Sequence, residues 1–344
     1  MKVITYILSI LYALVIKIRN ELYNKGCFKQ WIPPLKTICV GNLAVGGTGK
    51  TPHAIFLLQS LHEEFSVAFL SRGYKRKTKG YIKLTLDNQT QQVGDEPLLV
   101  KRRFPNIPVA VCEKRKTGIT TLIKQHPEID CIVLDDAMQH RAVKPGKTLL
   151  LTTYDLLYID DTYLPHGYLR DSITEAKRAD WIMVTKCPPH LTQQEQTKIK
   201  ERLDISSHQK VFFSSVVYGT PMPMEGDHQV TWNNIHSVCL VTGIARPQYI
   251  EDHVKSHVPN LKSMHFPDHH YFTISDFHSM QQCMATMPQD TILLTTEKDA
   301  MRMINNPHLP HSLRSYIHYL PIETKLINEQ DTFIKILKDY VREN

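Results

Sequence analysis

The chain is 344 residues long, with 42% hydrophobic and 22% charged residues, which is ordinary for a globular protein and excludes a disordered or fibrous class. One hydrophobic core usually stops growing below this length, so two domains are expected. The net charge of +7 suits an anionic partner such as a nucleotide, a nucleic acid or an anionic membrane, although a slightly basic solvated surface explains it equally well. The seven cysteines form no CxxC pair, which argues against a cysteine metal site and indicates reduced thiols in a cytosolic compartment.

The first predicted element is an apolar stretch from Val3 to Ile16 that turns basic at Lys17 and Arg19. A helix that spans a bilayer needs about 20 apolar residues, so this stretch is too short to cross comfortably. It also lacks the small-residue cleavage site of a signal peptide. Its flanking tyrosines and basic end predict a helix over residues 1–26 that lies in a membrane interface. The alternative is a buried N-terminal core helix.

Short apolar runs then alternate with helical patterns as far as residue 186. The predicted strands are KTICVG, SVAFLSRG, VAVCE, CIVLDD, KTLLLTT and ADWIMVTK, and the helical stretches between them include TPHAIFLLQSLHEE and TGITTLIKQHP. Continuous apolar strands that alternate with helices indicate a parallel sheet covered on both faces. We therefore predict an α/β/α sandwich with a mostly parallel sheet over residues 27–217.

A turn rich in Pro and Gly follows the run KVFFSSVVY, so residues 218–234 are predicted to be a linker. Beyond it, SVCLVTGIA, TILLTTEKD and SYIHYLPIE read as strands with helical stretches between them. Residues 235–344 are therefore expected to form a second, smaller α/β domain that closes over the ligand of the first.

A phosphate-binding loop pattern occupies residues 44–51, which read AVGGTGKT with alanine in place of the usual first glycine. An apolar strand precedes the loop and an amphipathic helix follows it, as this motif requires. The first domain is therefore predicted to be of the P-loop NTPase type, with Lys50 on the β/γ-phosphates and the Thr51 hydroxyl on Mg²⁺. The loop residues expected to bind the nucleotide are Ala44, Val45, Gly46, Gly47, Thr48, Gly49, Lys50 and Thr51.

Two adjacent carboxylates, Asp135 and Asp136, follow the buried run CIVL. Leaving both unpaired at the end of a buried strand would be costly, and a metal or a basic partner removes that cost. We expect them to hold Mg²⁺ together with Thr51. GTPases, ATP motors and small-molecule kinases share both motifs, so these residues alone do not identify the phosphoryl acceptor.

The remaining motifs resemble those of the tetraacyldisaccharide 4′-kinases, the lipid A 4′-kinases of Gram-negative bacteria, over nearly the whole chain. The family patterns GN…VGGTGKTP, SRGY, GDEP, DDGFQHR, PxGxLR, TGIARP, F-DH and TEKDA have counterparts, in that order, at residues 41–52, 71–74, 94–97, 135–141, 165–170, 242–247, 266–269 and 296–300. Two departures are Ala137 and Met138, where the family often has Gly and Phe.

The resemblance implies an ATP- and Mg²⁺-dependent lipid kinase of lipid A biosynthesis. Its acceptor would be the 4′-hydroxyl of an acylated glucosamine disaccharide 1-phosphate, and its product the 1,4′-bisphosphate, lipid IVA. Because such a substrate stays in the bilayer, the enzyme would be peripheral or monotopic at the cytoplasmic face of the bacterial inner membrane. We expect a monomer with no nucleic acid and no protein partner.

Asp95 lies in a glycine-containing loop before an apolar helix, where it is a candidate general base or, equally well, a helix N-cap. The resemblance assigns the matching Asp to general-base work, with the His of the DH motif as its partner. That histidine is His269, and the adjacent His270 competes with it. Lys50 completes the expected catalytic set.

Substrate and nucleotide contacts are expected from several other loops. The arginines among them match phosphate oxygens well, although each would serve equally in a structural salt bridge. The residues predicted to bind the acceptor are Arg72, Tyr74, Arg115, Gln139, His140 and Arg170. Glu297, Lys298 and Asp299 end a predicted strand of the second domain and are expected to close over the base or ribose side of the nucleotide.

The alternative function is a nucleotide-dependent switch or a chaperone-like GTPase. A GTPase would carry an N-K-x-D motif after a late strand, whereas VTKCPPH at Val184 has only the lysine. A nucleic-acid ATPase would show a basic cluster interleaved with aromatic residues, which is not evident in the sequence. The kinase is therefore favoured.

Overall fold

The computed structural model describes residues 2–226 and 230–343. Its strands are β1 (Lys36–Asn42), β2 (Val67–Ser71), β3 (Ile82–Lys83), β4 (Val109–Val111), β5 (Cys131–Asp135), β6 (Lys147–Thr153), β7 (Trp181–Thr185), β8 (Lys210–Tyr218), β9 (Met222–Pro223), β10 (Ser237–Thr242), β11 (Asn260–His265), β12 (Ile292–Thr296), β13 (Ile317–Leu320) and β14 (Ile322–Leu326). Its α-helices are α1 (Lys2–Asn24), α2 (Lys50–Leu61), α3 (Thr90–Val93), α4 (Asp95–Arg103), α5 (Arg115–Gln125), α6 (Gln193–Arg202), α7 (Gln248–Lys255), α8 (Ile274–Ala285), α9 (Glu297–Ile304), α10 (His311–Arg314) and α11 (Gln330–Arg342).

Nine strands form one sheet in the order β14-β8-β7-β6-β1-β5-β2-β4-β3. Its neighbours are parallel except at the two edges, where β14 and β3 run antiparallel to their partners. Alternate side chains of β1 supply two hydrophobic cores: Ile38 and Val40 enter one, and Cys39 enters the other. A sheet buried on both faces explains why its strands read as continuous apolar runs, and the predicted α/β fold with a mostly parallel sheet is confirmed.

The centre of this sheet determines where a ligand can bind. Strand β1 pairs in parallel with β5 on one side and β6 on the other, and Val40 lies opposite Asp135. The loops that follow β1 and β5 therefore emerge side by side at the carboxyl edge. In open α/β sheets this edge is where ligands bind.

Five strands form a second sheet in the order β11-β10-β12-β13-β9, with β9 alone antiparallel. Successive residues of β10 again face opposite sides, Val238 and Leu240 in one core and Cys239 and Val241 in the other. We call this sheet with helices α7–α10 the second unit, and the nine-stranded sheet with its helices the first unit.

The last strand and helix of the chain belong to the first unit, which differs from the expected second domain of residues 235–344. Strand β14 pairs with β8, and Phe333 of α11 stacks on Phe56 of α2. The run SYIHYLPIE, expected to be one strand, is divided by Pro321 into β13 and β14 in different sheets. Proline has no N–H to donate, so it suits this crossing point. The domain boundaries themselves stay a prediction.

The residues expected to form a linker, 218–234, are also partly ordered into strands. Tyr218 ends β8, and β9 adds to the edge of the second sheet by pairing with β13.

Helix α1 exposes its apolar residues and buries polar ones. Ser9 and Asn20 are buried, whereas at least half of the surface of Ile4 and Leu11 is exposed. This distribution is the reverse of a core helix, so the alternative of a buried N-terminal helix is not supported. Within residues 2–226 and 230–343, no helix has the length and apolarity needed to cross a membrane.

Candidate active site

The loop between β1 and α2 has the backbone geometry of a phosphate cradle. Gly46 and Gly49 adopt positive φ angles of 106° and 91°, which glycine allows without strain. Helix α2 begins at Lys50, directly after the glycines, so its free N–H groups point toward the loop. The Thr185 hydroxyl at the end of β7 donates to the Thr48 carbonyl at 2.9 Å and fixes the loop from behind.

Asn42, the last residue of β1, holds the cradle together. Its amide donates to the Thr48 hydroxyl at 2.9 Å, and its side-chain oxygen accepts from Lys50 Nζ at 3.4 Å and from Arg170. Gln139 donates to its backbone carbonyl at 2.8 Å. Asn42 is fully buried. In the sequence only its place in the GN motif marks it, so its role is visible only in the structure.

Asp135 ends β5 beside this loop and is almost fully buried. Ser71 donates to Oδ2 at 2.9 Å, whereas Oδ1 is buried without a hydrogen-bond partner within residues 2–226 and 230–343. Burial, with the negative charges of Glu96 and Asp136, raises the pKa of Asp135 to about 7. A buried oxygen without a partner on a carboxylate that resists ionisation is what a cation would satisfy.

Asp136 is held by basic side chains. Arg170 donates to both of its carboxylate oxygens, and Lys50 Nζ lies 3.8 Å from Oδ1. Burial opposes ionisation, but Lys50 and Arg170 outweigh it and lower the pKa of Asp136. Asp136 itself adopts the left-handed conformation, with φ of 46°. Ala137 has no positive φ, so alanine fits where the family often has glycine.

Close packing beneath the two aspartates explains Gly41. A Cβ at Gly41 would lie 2.5 Å from the Cβ of Met138, so any larger residue would force the DDAMQHR loop away from β1. Met138 thus packs directly against β1, the strand that leads into the P-loop.

Asp95 and His269 meet across the two units. His269 Nδ1 lies 2.9 Å from Asp95 Oδ2, and the Asp95 side chain is 6% exposed. Asp95 is the first residue of α4 and Gly94 is the N-cap, so the N-cap interpretation of Asp95 is wrong. His270 instead pairs with Asp276 in its own unit at 2.9 Å, which leaves His269 as the partner of Asp95.

The charges around Asp95 keep it ionised. Burial alone would raise its pKa, but the hydrogen bond from His269 and the positive charges of Lys298 and Arg302 hold the pKa of this carboxyl well below its usual range. Arg302 donates to Oδ2 through Nε at 3.0 Å and through Nη2. Arg302 was missed in the sequence, because it lies two residues beyond the TEKDA motif.

The TEKDA residues contact protein groups. Glu297 forms a two-pronged ion pair with Arg103, and Lys298 Nζ lies 2.8 Å from Glu96 Oε1. Asp299 is fully buried and accepts from the Gly243 N–H at 2.9 Å. The contacts of Glu297 and Lys298 join α9 to α4, whereas that of Asp299 stays within the second unit. A role of the three residues in nucleotide binding stays a prediction.

Comparison with known proteins gives one consistent answer. The model of the family described as tetraacyldisaccharide-1-P 4′-kinase matches residues 1–342. The tetraacyldisaccharide 4′-kinase of Bacteroides thetaiotaomicron is 38% identical to this chain, in an alignment that covers 98% of this chain and 93% of the relative. That of Flavobacterium johnsoniae is 39% identical, and its alignment covers 98% of this chain and 96% of the relative. The crystal structure of LpxK from Aquifex aeolicus in complex with ATP superposes with a TM-score of 0.75 at 27% identity, over 97% of both chains.

The chain belongs to the tetraacyldisaccharide 4′-kinase family. This membership confirms the kinase class predicted from the ordered motifs. The alternative of a nucleotide-dependent switch or GTPase is not favoured.

The residues predicted to bind the kinase's acceptor have different surroundings. Arg72 and Tyr74 are exposed, and the Tyr74 ring lies edge-on to His269, with 5.4 Å between ring centroids. Burial and the positive charges of Arg115, Arg72 and Arg19 lower the pKa of His140, so a basic cluster lies beside the DDAMQHR loop.

Arg115, Gln139 and Arg170 already form hydrogen bonds with other groups of the protein. Arg115 is buried and donates to the backbone carbonyls of Cys112 and Asp135 at 2.7 Å and 2.9 Å. The Gln139 amide and the Arg170 guanidinium both contact Asn42. Their contact with an acceptor stays a prediction.

Proposed function

We propose that this chain transfers the γ-phosphoryl group of ATP to the 4′-hydroxyl of a tetraacyldisaccharide 1-phosphate at a membrane surface. The observation that carries the proposal is the hydrogen bond of 2.9 Å between Asp95 and His269. It joins a pair that can accept a proton across the two units, with Asp95 in the unit that contains the P-loop. The charge of Glu96, next to Asp95, is felt by Asp135, so the start of α4 lies near the P-loop acids. The family membership and the ATP complex of the Aquifex relative support the donor and the acceptor.

The P-loop would bind the triphosphate through its backbone N–H groups, with Lys50 on the β/γ-phosphates. Thr51, Asp135 and Asp136 are the residues that would hold Mg²⁺, which supplies charge neutralisation on the phosphates when bound. Asp135 Oδ1, which has no hydrogen-bond partner among the residues that the structure describes, fits this ion, since Mg²⁺ is usually held by one or two carboxylates plus phosphates and water. Asp136 would contribute less directly, because Arg170 and Lys50 already bind it.

A sugar hydroxyl is a weak nucleophile, so a nearby base that takes its proton accelerates the transfer. Asp95 is ionised and buried, and His269 is hydrogen-bonded to it, so the pair can accept that proton as one unit. The acceptor hydroxyl would approach beside Tyr74, which contacts His269 from the solvent side. Arg72, the exposed arginine of the basic cluster around His140, would receive the acceptor's 1-phosphate.

Helix α1 would place the site at the cytoplasmic face of the inner membrane. Eight of its apolar side chains are exposed by between 48% and 63%: Ile4, Ile7, Leu8, Ile10, Leu11, Leu14, Val15 and Ile18. Its polar side chains bind the loops of the active site: Tyr12 donates to the Arg170 carbonyl at 3.0 Å and Arg19 to the Gln139 carbonyl at 2.5 Å. An exposed apolar helix face next to a lipid-kinase site is suited to a bilayer surface.

The test is nucleotide turnover with a detergent-dispersed acylated disaccharide 1-phosphate. We expect ADP release to require the acceptor and to match the bisphosphate formed. The matched control is the same acceptor already phosphorylated at its 4′-position, which should give no turnover above background. ATP hydrolysis that ignores the acceptor would instead favour a nucleotide-dependent switch.

A further inference from the structure

A single buried guanidinium, that of Arg302, touches four of the sequence motifs. It contacts Asp95 of GDEP, Asp299 of TEKDA, the carbonyl of Gly243 in TGIARP and, at 3.4 Å, Nδ1 of His269 in the F-DH motif. Its side chain is 4% exposed. These motifs are far apart in the sequence, and Arg302 lies outside all of them.

We propose that Arg302 is a positioning residue, which orients the Asp95–His269 pair by tying both residues to the frame of the second unit. The proposal rests on the proposed function, in which that pair accepts the hydroxyl proton. Arg302 would act through the pair and would not touch the acceptor or the nucleotide.

The hydrogen-bond geometry requires an arginine rather than any cation. Nε and Nη2 both reach Asp95 Oδ2, while Nη1 donates to Asp299 Oδ1 at 2.6 Å and to the Gly243 carbonyl at 2.9 Å. Only a planar fork with several fixed donors can serve these three groups at once, because the lysine ammonium is a single point.

Both ends of the catalytic pair are fixed by this arrangement. On one side the fork sets the rotation of the Asp95 carboxylate, whose Oδ1 accepts from the Glu96 N–H at 3.0 Å. On the other side the backbone N–H of His269 donates to the Gly243 carbonyl at 3.1 Å, and Arg302 binds the same oxygen. Loss of the fork would therefore loosen the carboxylate and the imidazole together.

The contact is distinct from the general attachment of the two units. Helices α4 and α9 are also joined by the ion pair of Arg103 with Glu297 and by that of Lys298 with Glu96. Neither Arg103 nor Glu297 hydrogen-bonds to Asp95 or His269 within the part of the chain that the structure describes. Arg103 is therefore a matched comparison: it joins the same two helices without touching the catalytic pair.

Removing the charge of Arg302 has a second measurable effect. The charged and titratable groups around Asp95 are His269, Lys298, Arg302 and Asp299, with Glu96 beside it in the chain. The positive charge of Arg302 helps to lower the pKa of Asp95, so its loss raises that pKa. Since the ionised carboxylate is the active form, the acid limb of kcat/KM would move to higher pH.

The experiment compares Arg302→Gln, Arg302→Lys and Arg103→Gln, with Arg314→Gln as a surface control whose partner is Glu225. We expect Arg302→Gln to lower kcat by roughly 10- to 100-fold, the cost of misplacing a reacting group by about 1 Å, with little change in the KM for ATP. The acid limb of its kcat/KM profile should move to higher pH. Arg302→Lys should lose several-fold in kcat, with the acid limb of its pH profile unmoved. Arg103→Gln and Arg314→Gln should keep the wild-type acid limb.

A wild-type kcat and pH profile in Arg302→Gln would overturn the proposal, as would an Arg103→Gln variant that reproduces both effects. If Arg302→Gln does not fold, as judged by its thermal unfolding, a wild-type kcat in Arg302→Lys would overturn it instead. Failure of the proposed function gives a different result: the wild-type protein itself would then show no acceptor-dependent turnover. Full acceptor-dependent activity in Asp95→Asn would instead overturn the assignment of the Asp95–His269 pair as the base, and with it the role of Arg302.

Discussion

The sharpest test of membrane association is to introduce two negative charges on the exposed face of α1. Leu11 and Leu14 are 55% and 53% exposed. We consider the double substitution Leu11→Glu, Leu14→Glu, because glutamate is a good helix former and should leave α1 intact. Deleting residues 1–20 should also release much of the protein from membranes and leave the P-loop unit folded, but it would remove the contacts of Tyr12 and Arg19 with the active-site loops as well.

The expected loss follows from the exposed area. Full burial of a leucine side chain contributes about 1.5–3 kcal/mol, and roughly half of each side chain is available to the bilayer. Each substitution should therefore cost about 1 kcal/mol, and the pair about 2 kcal/mol, or roughly 30-fold in the partition constant. The desolvation of two carboxylates adds to this loss.

The assay is flotation of the full-length protein with phospholipid vesicles, at several lipid concentrations. The matched control is Ile274→Glu, because Ile274 is 66% exposed at the start of α8 in the second unit. We expect the double variant to leave the vesicles and the control to stay bound, with both active on a detergent-dispersed acceptor. Equal binding of the double variant and the wild type would refute a membrane role for this face, and so would an equal loss in the control.

Three further predictions concern the site. Lys50→Ala should abolish transfer in a folded protein, because a cation on the transferring phosphoryl group contributes several kcal/mol, and near-normal bisphosphate formation would contradict this. Burial raises the pKa of Asp135 from 3.8 to about 7, so the folded state binds the extra proton and stability falls as pH rises between these values. Mg²⁺ binds the ionised form and should raise Tm more at about pH 8 than at about pH 5.5; this difference should vanish in Asp135→Asn, and its survival there would assign it to another group. Asp95→Ala and His269→Ala should each lower kcat by roughly 10²–10⁴, and the double variant should lose little more. Multiplicative losses would show independent roles.

The sequence was most informative where structure is local. The P-loop is one strand, one turn and one helix, and its phosphate-binding character depends on the conformations of Gly46 and Gly49, which a short pattern reveals. Asp135 was identifiable for the same reason, because a strand that ends in a carboxylate leaves it at the carboxyl edge of the sheet. The apolar stretch of α1 also stood out, although only the structure shows which side of it is free.

The sequence was least informative where residues far apart meet. The GN motif contains Asn42 without revealing its role, and Arg302 lies outside the motifs. The importance of both depends on partners such as Arg170 and Asp95 that lie more than 100 residues away. Strand β14 reads like a continuation of β13, and only the pairing with β8 shows that it joins the other sheet. The pairing of His269 rather than His270 with Asp95 was likewise beyond local patterns, and the family resemblance alone favoured it.

Arg170 couples helix α1 to the P-loop acids. Its guanidinium holds Asp136 and Asn42, and its backbone carbonyl accepts from Tyr12 of α1. One residue later, Asp171 is fully buried and accepts from the Asn20 amide at 2.8 Å. The segment that positions Arg170 is therefore held in place by the helix proposed to lie on the bilayer. If α1 lies on the bilayer as proposed, this attachment would set the distance between the phosphoryl donor and the surface that holds the acylated acceptor.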